Sequence, residues 1–338
     1  MTELQLLSVV APAYNEEEVL LTFHERLSAV FDRLPLRCEA VYVNDGSSDS
    51  TQALIERLAK DDSRVSYIDL SRNFGKEIAM TAGLDHARGD AVVIIDVDLQ
   101  DPPELIEQLV QEWQLGFDVV YAKRTVRDGE TRLKKATATI FYWLIQKVTR
   151  VHVPRDTGDF RLMSRRAVDA LLLLREQHRF MKGLFAWVGF PQKAVEYRRD
   201  PRFAGKTKFS YWKLWNFAIE GITSFTIAPL KIATYFGVLT AALSFCYGTW
   251  IFSKTLLFGD PVRGYPSLMV TVLFLGGVQL VFIGVIGEYL GRIYNETKQR
   301  PLYFVQSYFP SRSAREQKTA SDNRFAVQPM PCSNASAE

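Results

Sequence analysis

The sequence predicts an α/β domain with a largely parallel sheet, followed by interface helices and a C-terminal hairpin of two transmembrane helices. Two observations carry the α/β assignment. Apolar, strand-like runs alternate with helix-periodic runs through the first hundred or so residues, and each strand-like run ends in polar residues. A third observation carries the hairpin: Ile232–Phe252 and Ser267–Gly287 are each 21 residues without a charge. A helix needs about 20 such residues to cross a hydrocarbon core.

The elements follow in order. LLSVVAPAY predicts a strand ending at a proline turn, and NEEEVLLTFHERLSAVFDRL a helix with acids in its first turn. His24 on that helix is expected at the surface. CEAVYVND predicts the second strand, and GSSDSTQALIERLAKD a helix that serine and aspartate can cap. VSYIDLSRN, EIAMTAGLDHARG and AVVIIDVD continue the rhythm. A sheet built this way is covered on both faces, and its ligands sit beyond the carboxyl ends of the strands. Those ends carry Tyr14, Asn15 and Glu16, then Asn44 and Asp45, then Asp96 and Asp98.

Composition excludes several functions. A net charge of +3 is too small to argue for a nucleic-acid partner, and none is expected. Cys38, Cys246 and Cys332 are too scattered for a zinc site or a disulfide framework, and they read as reduced. The opening MTELQLLSVV has no basic segment of the kind that starts a secretory leader. His86, His152 and His178 are scattered and read as structural.

The motif evidence narrows the ligand. The first strand is followed by APAYNEEE rather than G-x-G-x-x-G, and Asp200 stands where a Walker loop ending in Gly205-Lys206-Thr207 needs glycine. Without a glycine cradle, a phosphorylated ligand needs another counter-charge. Asp96, Asp98 and Gln100 offer hard oxygen ligands suited to Mg²⁺ or Mn²⁺, although two aspartates at a strand end also serve as turn and cap residues. Asp101, with Pro102 and Pro103 behind it, reads as the cap of the next helix.

Taken together and in this order, APAYNEEEVL, VNDGSSDST, SRNFGKEIAMTAGLDHARGD, DVDLQDPPELI, DTGDFRLMSRRAVDAL, FMKGLFAWVGF and KLWNFAIEGITSF resemble the polyprenyl-phosphate glycosyltransferases of glycosyltransferase family 2. The catalytic part is similar to dolichyl-phosphate mannose synthase, and with the two spans the likeness is greatest to the bactoprenol glucosyltransferase subgroup. The match runs from Leu7 to about Pro301. It implies a GT-A nucleotide-sugar fold and inverting transfer of a hexose to a lipid phosphate. Glucose from UDP-glucose and undecaprenyl phosphate are the implied pair, with a β-linked product for O-antigen or cell-envelope glycosylation. GDP-mannose, a UDP-N-acetylhexosamine or a UDP-aminoarabinose would use nearly the same motifs. The resemblance also implies a homo-oligomer, a tetramer in relatives, working with a flippase and a downstream membrane glycosyltransferase.

By resemblance, Pro12, Ala13, Tyr14, Glu16 and Asp45 hold the nucleotide. Asp96, Asp98 and Gln100 match D-x-D-x-Q and hold the metal, with Asp98 and Gln100 as its direct ligands. Lys76 either approaches the diphosphate or is an exposed lysine at a helix start. Arg124, Arg127, Arg132, Arg202 and Lys208 grip the lipid phosphate or the diphosphate, a task to which the planar fork of arginine is suited. Asp159 orients acceptor or sugar, or acts as a base; a structural turn acid beside Gly158 is the plain alternative. The base role is not required, because a phosphate monoester with second pKa about 6 is largely a dianion at neutral pH.

The expected organisation is a cytoplasmic catalytic domain over 1–208, an interfacial helix over 209–230, and spans over 231–254 and 267–289 joined by an external loop over 255–266. A cytoplasmic juxtamembrane segment over 290–310 and a disordered tail over 311–338 follow. Aromatics and lysines mix in FSYWKLWNFAIEGITSFTIAPL, which suits a helix in the membrane interface; Thr137–Val151 is amphipathic too. Lys206, Lys208, Lys213, Lys231, Arg292, Lys298 and Arg300 flank the hairpin, against Lys254 and Arg263 in its link. That bias places the domain and both termini in the cytoplasm, and the resemblance implies a bacterial inner membrane. A processive synthase would carry Q-x-x-R-W and more spans, and this chain has neither. A non-catalytic membrane scaffold is the remaining alternative, and the intact D-x-D-x-Q, Arg202 and Lys208 argue against it.

Overall fold

The computed structural model describes residues 5–125, 157–197, 228–258 and 264–312. Arg127, Arg132, His152, Arg202, Lys208, the amphipathic stretch 137–151, the interfacial helix as far as residue 227 and the tail from 313 lie outside them.

The described strands form one eight-stranded sheet in the order β7-β5-β6-β4-β1-β2-β3-β8. β1 (Leu6–Ala13), β2 (Arg37–Asn44), β3 (Val65–Leu70) and β4 (Ala91–Ile94) pair in parallel, as the alternation of elements predicts. β5 (Val119–Arg124) and β7 (Gln192–Tyr197) are also parallel to each other, while β6 (Thr157–Ser164) runs antiparallel to both β4 and β5. β1 is buried along almost its whole length because helices cover both faces.

On one face α1 (Leu20–Arg33), α2 (Thr51–Asp61) and α4 (Ile106–Gln114) bury Phe23, Leu27, Val30, Ile55, Ile106 and Leu109. On the other, α3 (Lys76–His86), α5 (Arg165–Leu172) and α6 (Met181–Trp187) bury Met80, Val168, Leu171, Leu184 and Phe185. Side chains of this size contribute about 1.5–3 kcal/mol each when fully buried. α3 packs closest: a Cβ added at Gly83 would lie 2.2 Å from Val10 Cγ1 and 3.1 Å from Val43 Cγ2. Gly83→Ala is therefore expected to push α3 off β1 and destabilise the domain by about 1–3 kcal/mol, read as a lower melting temperature.

Three expectations are corrected here. α1 begins at Leu20, so Glu16, Glu17 and Glu18 precede it in a turn whose Glu16 carbonyl accepts the Val19 and Leu20 amides. Glu17 instead accepts the Ser50 amide, joining the loops after β1 and β2. His24 is not at the surface. It lies on the flank of the buried stripe of α1, 3.0 Å from the hydroxyl of Tyr42, a fully buried side chain that needs a polar partner. Asp101 is not a helix cap. It is buried and accepts from the Tyr197 hydroxyl, and the 3₁₀ turn Pro103–Leu105 has no side-chain cap. Pro102 and Pro103 lack the N–H that a capping carboxylate would accept from at those positions.

Beyond the domain, α7 (Ala228–Phe258) and α8 (Tyr265–Thr297) contain the two apolar runs. Helices of a soluble core would be buried, whereas the candidate spans Leu230–Trp250 and Phe274–Thr297 are not buried at all within the chain. The two helices meet at an edge-on contact of Phe236 with Phe282. α8 runs on past Gly287 to Thr297, and the chain then returns to the sheet as β8 (Val305–Phe309), antiparallel to β3. Hydrogen bonds from the Gln177 amide to Glu296 and from the Tyr303 hydroxyl to Asp85 tie this return to the domain. His178 joins the same contact through Asn295, 3.0 Å away.

Candidate active site

The loops after β1 and β2 are knitted together where those strands end side by side, Pro12 opposite Val43 and Ala13 opposite Asn44. The Asn15 amide donates to Ser47, the Ser48 amide to the Asn15 side chain, and the Glu16 amide to Thr51. Tyr14 is exposed at this edge, and Glu16 is half-buried while Glu17 and Glu18 are exposed. Pro12, Ala13, Tyr14 and Glu16 thus lie along one rim, with Glu16 less exposed than Glu17 and Glu18.

Asp45 differs from the rest. Its carboxylate is buried and accepts the Phe74 and Gly75 amides at 2.7 and 3.0 Å. It pins the turn that leads into α3, in which Gly75 has φ +97, a left-handed value that favours glycine. Burial raises its pKa even against those two donors.

That turn fixes Lys76, the first residue of α3. The Lys76 ammonium donates to Asp96 at 2.7 Å and to Asp159 at 2.6 Å. The two acids are neighbours because β4 and β6 are antiparallel, with Ile94 opposite Arg161; two more residues along that register set Asp96 opposite Asp159. The Lys76 side chain is 44% exposed along its length; crowding around the ammonium itself opposes its charge, but the two carboxylates outweigh that and hold its pKa raised. Burial likewise opposes charge on Asp159, yet Lys76, Lys182 and Arg161 hold its carboxyl well below the usual carboxylate range. Asp159 is therefore ionised at neutral pH and a weak base there.

Two residues beneath this pair had no motif of their own. Arg161 is buried, lies 3.7 Å from the ring centroid of Phe185, and donates to the Gly158 carbonyl; burial lowers its pKa to about 10. Its spacing of two from Asp159 on a strand was the available signal, since such residues share a face. Glu77 accepts the Met181 amide, and burial, then the charge of Asp159, push its carboxyl up to about 8. A carboxyl raised above its unfolded value favours the fold at low pH, and that contribution is lost as pH rises through about 8. Glu77→Gln keeps an acceptor for Met181. It is expected to raise the melting temperature at pH 9 and not at pH 4, by about 2–4 °C per kcal/mol relieved.

Asp96, Asp98 and Gln100 follow β4 directly. Ile95, Val97 and Leu99 are buried in the core, and the two aspartates stand half-buried between them. Leu99 has φ +57, rare for a residue with a side chain, so the surrounding fold imposes this turn. Asp98 accepts the Gln100 amide at 3.1 Å. Among the described residues no three His, Cys, Asp or Glu side chains are gathered to hold a metal alone. Two carboxylates and an amide nevertheless suit a cation that takes its remaining ligands from phosphate and water, as Mg²⁺ does. Asp159 adds a buried Oδ1 with no hydrogen-bond partner.

Of the arginines proposed for the lipid phosphate, only Arg124 is described. It lies at the end of β5, with Nε 3.3 Å from the Tyr197 hydroxyl and Nη2 3.9 Å from Asp101. Asp101, read from sequence as a helix cap, is thus the acid beside Arg124. A cavity of about 670 Å³ lies away from these acids, under the α8-to-β8 return, between Arg175 and Arg300.

Residues 8–172 match the family model Glycosyl transferase family 2, and residues 228–293 match the GtrB C-terminal hairpin. An uncharacterized glycosyltransferase of Synechocystis is 53% identical over 299 residues, covering 88% of this chain and 94% of its own length. The chain belongs to glycosyltransferase family 2. A family 2 enzyme with a GT-A-like domain and this C-terminal hairpin has further relatives of the same extent. The bactoprenol glucosyl transferase of Shigella phage SfX is 51% identical over 301 residues, covering 89% of this chain and 99% of that protein. A prophage bactoprenol glucosyl transferase homolog of Escherichia coli is 50% identical over 300 residues, with 89% and 98% covered.

Proposed function

We propose that this family 2 glycosyltransferase moves glucose from UDP-glucose to undecaprenyl phosphate, giving β-linked polyprenyl phosphoglucose for O-antigen or cell-envelope glycosylation. The observation that carries this is identity of about half to bactoprenol glucosyl transferases across both the catalytic domain and the hairpin.

In this reading the rim of Pro12, Ala13, Tyr14 and Glu16 holds the nucleotide, and Asp45 acts indirectly by fixing the turn before Lys76. Asp96, Asp98 and Gln100 hold Mg²⁺ or Mn²⁺, which when bound supplies charge stabilisation for the leaving diphosphate. Lys76 and Asp159 lie beside that place. The acceptor phosphate attacks the anomeric carbon as a dianion, so Asp159 orients rather than removes a proton. Arg124, with Arg127, Arg132, Arg202 and Lys208, receives the lipid phosphate.

The division into a catalytic domain over 1–208, an interfacial helix, two spans and a short external loop belongs to the same reading. The return of the chain after α8 to the sheet as β8 supports a hairpin with both ends on the domain side. The basic flanks support a cytoplasmic domain at a bacterial inner membrane. The enzyme would work as a homo-oligomer, a tetramer by family resemblance, and pass its product to a flippase and a downstream membrane glycosyltransferase.

The donor is tested by incubating the purified protein with undecaprenyl phosphate, Mg²⁺ and, separately, labelled UDP-glucose, GDP-mannose, UDP-N-acetylglucosamine and UDP-aminoarabinose. Label is expected in the lipid phase from UDP-glucose at the highest rate; faster transfer from another donor reassigns the sugar.

A further inference from the structure

The bridging ammonium of Lys76 has a consequence that reaches beyond contact with a diphosphate. Asp96 is at once a partner of Lys76 and, in the reading above, a ligand of the divalent cation. Both cations seek the same carboxylate. The position of Lys76 is not incidental, because Asp45 holds the two amides just before it and α3 is seated tightly on β1 through Gly83.

We infer that Lys76 is a resident cation of the metal site: it occupies Asp96 and Asp159 in the metal-free protein and competes with the divalent cation for Asp96. Released from Asp96, the ammonium stays on Asp159 and meets the donor diphosphate. Lys76 thereby makes metal binding weaker when no donor is present and donor binding stronger when metal is, coupling the two. The inference rests on the metal reading of Asp96 and Asp98; its Mn²⁺ arm is independent of which sugar is transferred, and its donor arm uses whichever sugar nucleotide the donor panel selects, UDP-glucose in the proposed reading.

The two effects have opposite signs, which separates this role from simpler ones. A lysine that only contacts diphosphate would leave metal affinity untouched when removed. One that only supports the fold would weaken both ligands. Mn²⁺ is titrated into full-length detergent-purified protein by electron paramagnetic resonance without nucleotide, and UDP-glucose by calorimetry at saturating Mn²⁺. Lys76→Gln is expected to tighten Mn²⁺ by about tenfold and to weaken UDP-glucose by about tenfold or more, each tenfold step being about 1.4 kcal/mol. Lys76→Arg, which keeps the charge, is expected to return both towards wild type. Unchanged or weaker Mn²⁺ binding in a Lys76→Gln protein that melts like wild type would overturn the inference.

A second measurement needs no variant. In wild-type protein, acetylation of Lys76 followed by mass spectrometry is expected to speed up with Mn²⁺ alone and to slow again when UDP-glucose is added. Protection by Mn²⁺ alone, or no change, contradicts the competition. Failure of glucose transfer in the donor panel would leave the Mn²⁺ results standing, so the two readings fail separately.

Discussion

Asp98→Asn is expected to lower transfer at least about a thousandfold, a loss of roughly 4 kcal/mol of transition-state stabilisation, while the protein still folds. The fold survives because Asp98 is half-buried and the carbonyl of asparagine can still accept the Gln100 amide. The activity does not, because a neutral amide in place of a carboxylate leaves the divalent cation with weaker hold at the point where diphosphate charge develops. Transfer measured at saturating Mn²⁺ beside a melting curve separates the two effects. Wild-type turnover in the variant would remove Asp98 from the metal site.

Asp159→Asn is the second large effect, expected to reduce transfer by about 10²–10³-fold, the order seen when one preorganised electrostatic contact is lost. The reason is placement. Asp159 is the buried acid that Lys76, Lys182 and Arg161 surround, and removing its charge leaves Arg161 buried with its nearest counter-charge gone. The pH dependence distinguishes orientation from base catalysis. Since its carboxyl lies well below the usual range, Asp159 stays ionised through pH 5–9 and should add no limb of its own to the wild-type profile there. The rate should instead fall below about pH 6, where the acceptor phosphate gains its second proton. Raising the pH should not rescue Asp159→Asn. Recovery at high pH would mean that the carboxylate had been taking a proton.

Most of the frame of this site was legible in the sequence, for physical reasons. A parallel sheet covered on both faces requires apolar runs such as LLSVVAPAY and AVVII, and the chain must turn in polar residues where those runs end. Periodicity alone therefore set Glu16 just beyond β1 and Asp96 and Asp98 just beyond β4, where they lie. The neighbour of Asp96 was not legible, because Asp159 comes to it through an antiparallel pairing across 63 residues of chain, and no local pattern records register. The same pairing hid Arg161. Lys76 was left between two readings because a lysine at a helix start looks alike whether it faces solvent or two carboxylates. His24 was misplaced because its burial depends on the Tyr42 hydroxyl, a tertiary partner. β8 was missed because five residues after a long apolar helix carry little signal until β3 offers them an edge. Asp101 was misread as a cap from the preference of acids for helix starts, although the two prolines that follow remove two of the donors and the carboxylate turns to the Tyr197 hydroxyl.

A chain with this site is expected to form a sugar–phosphate bond on a membrane lipid. The most direct measurement is the appearance of labelled glucose in the organic phase when purified protein is given UDP-[¹⁴C]glucose, undecaprenyl phosphate and Mg²⁺. The expected product is an acid-labile polyprenyl phosphoglucose that is absent without lipid phosphate and absent in Asp98→Asn. No lipid-linked label from UDP-glucose or any other sugar nucleotide, in protein that is folded and binds Mn²⁺, would contradict it.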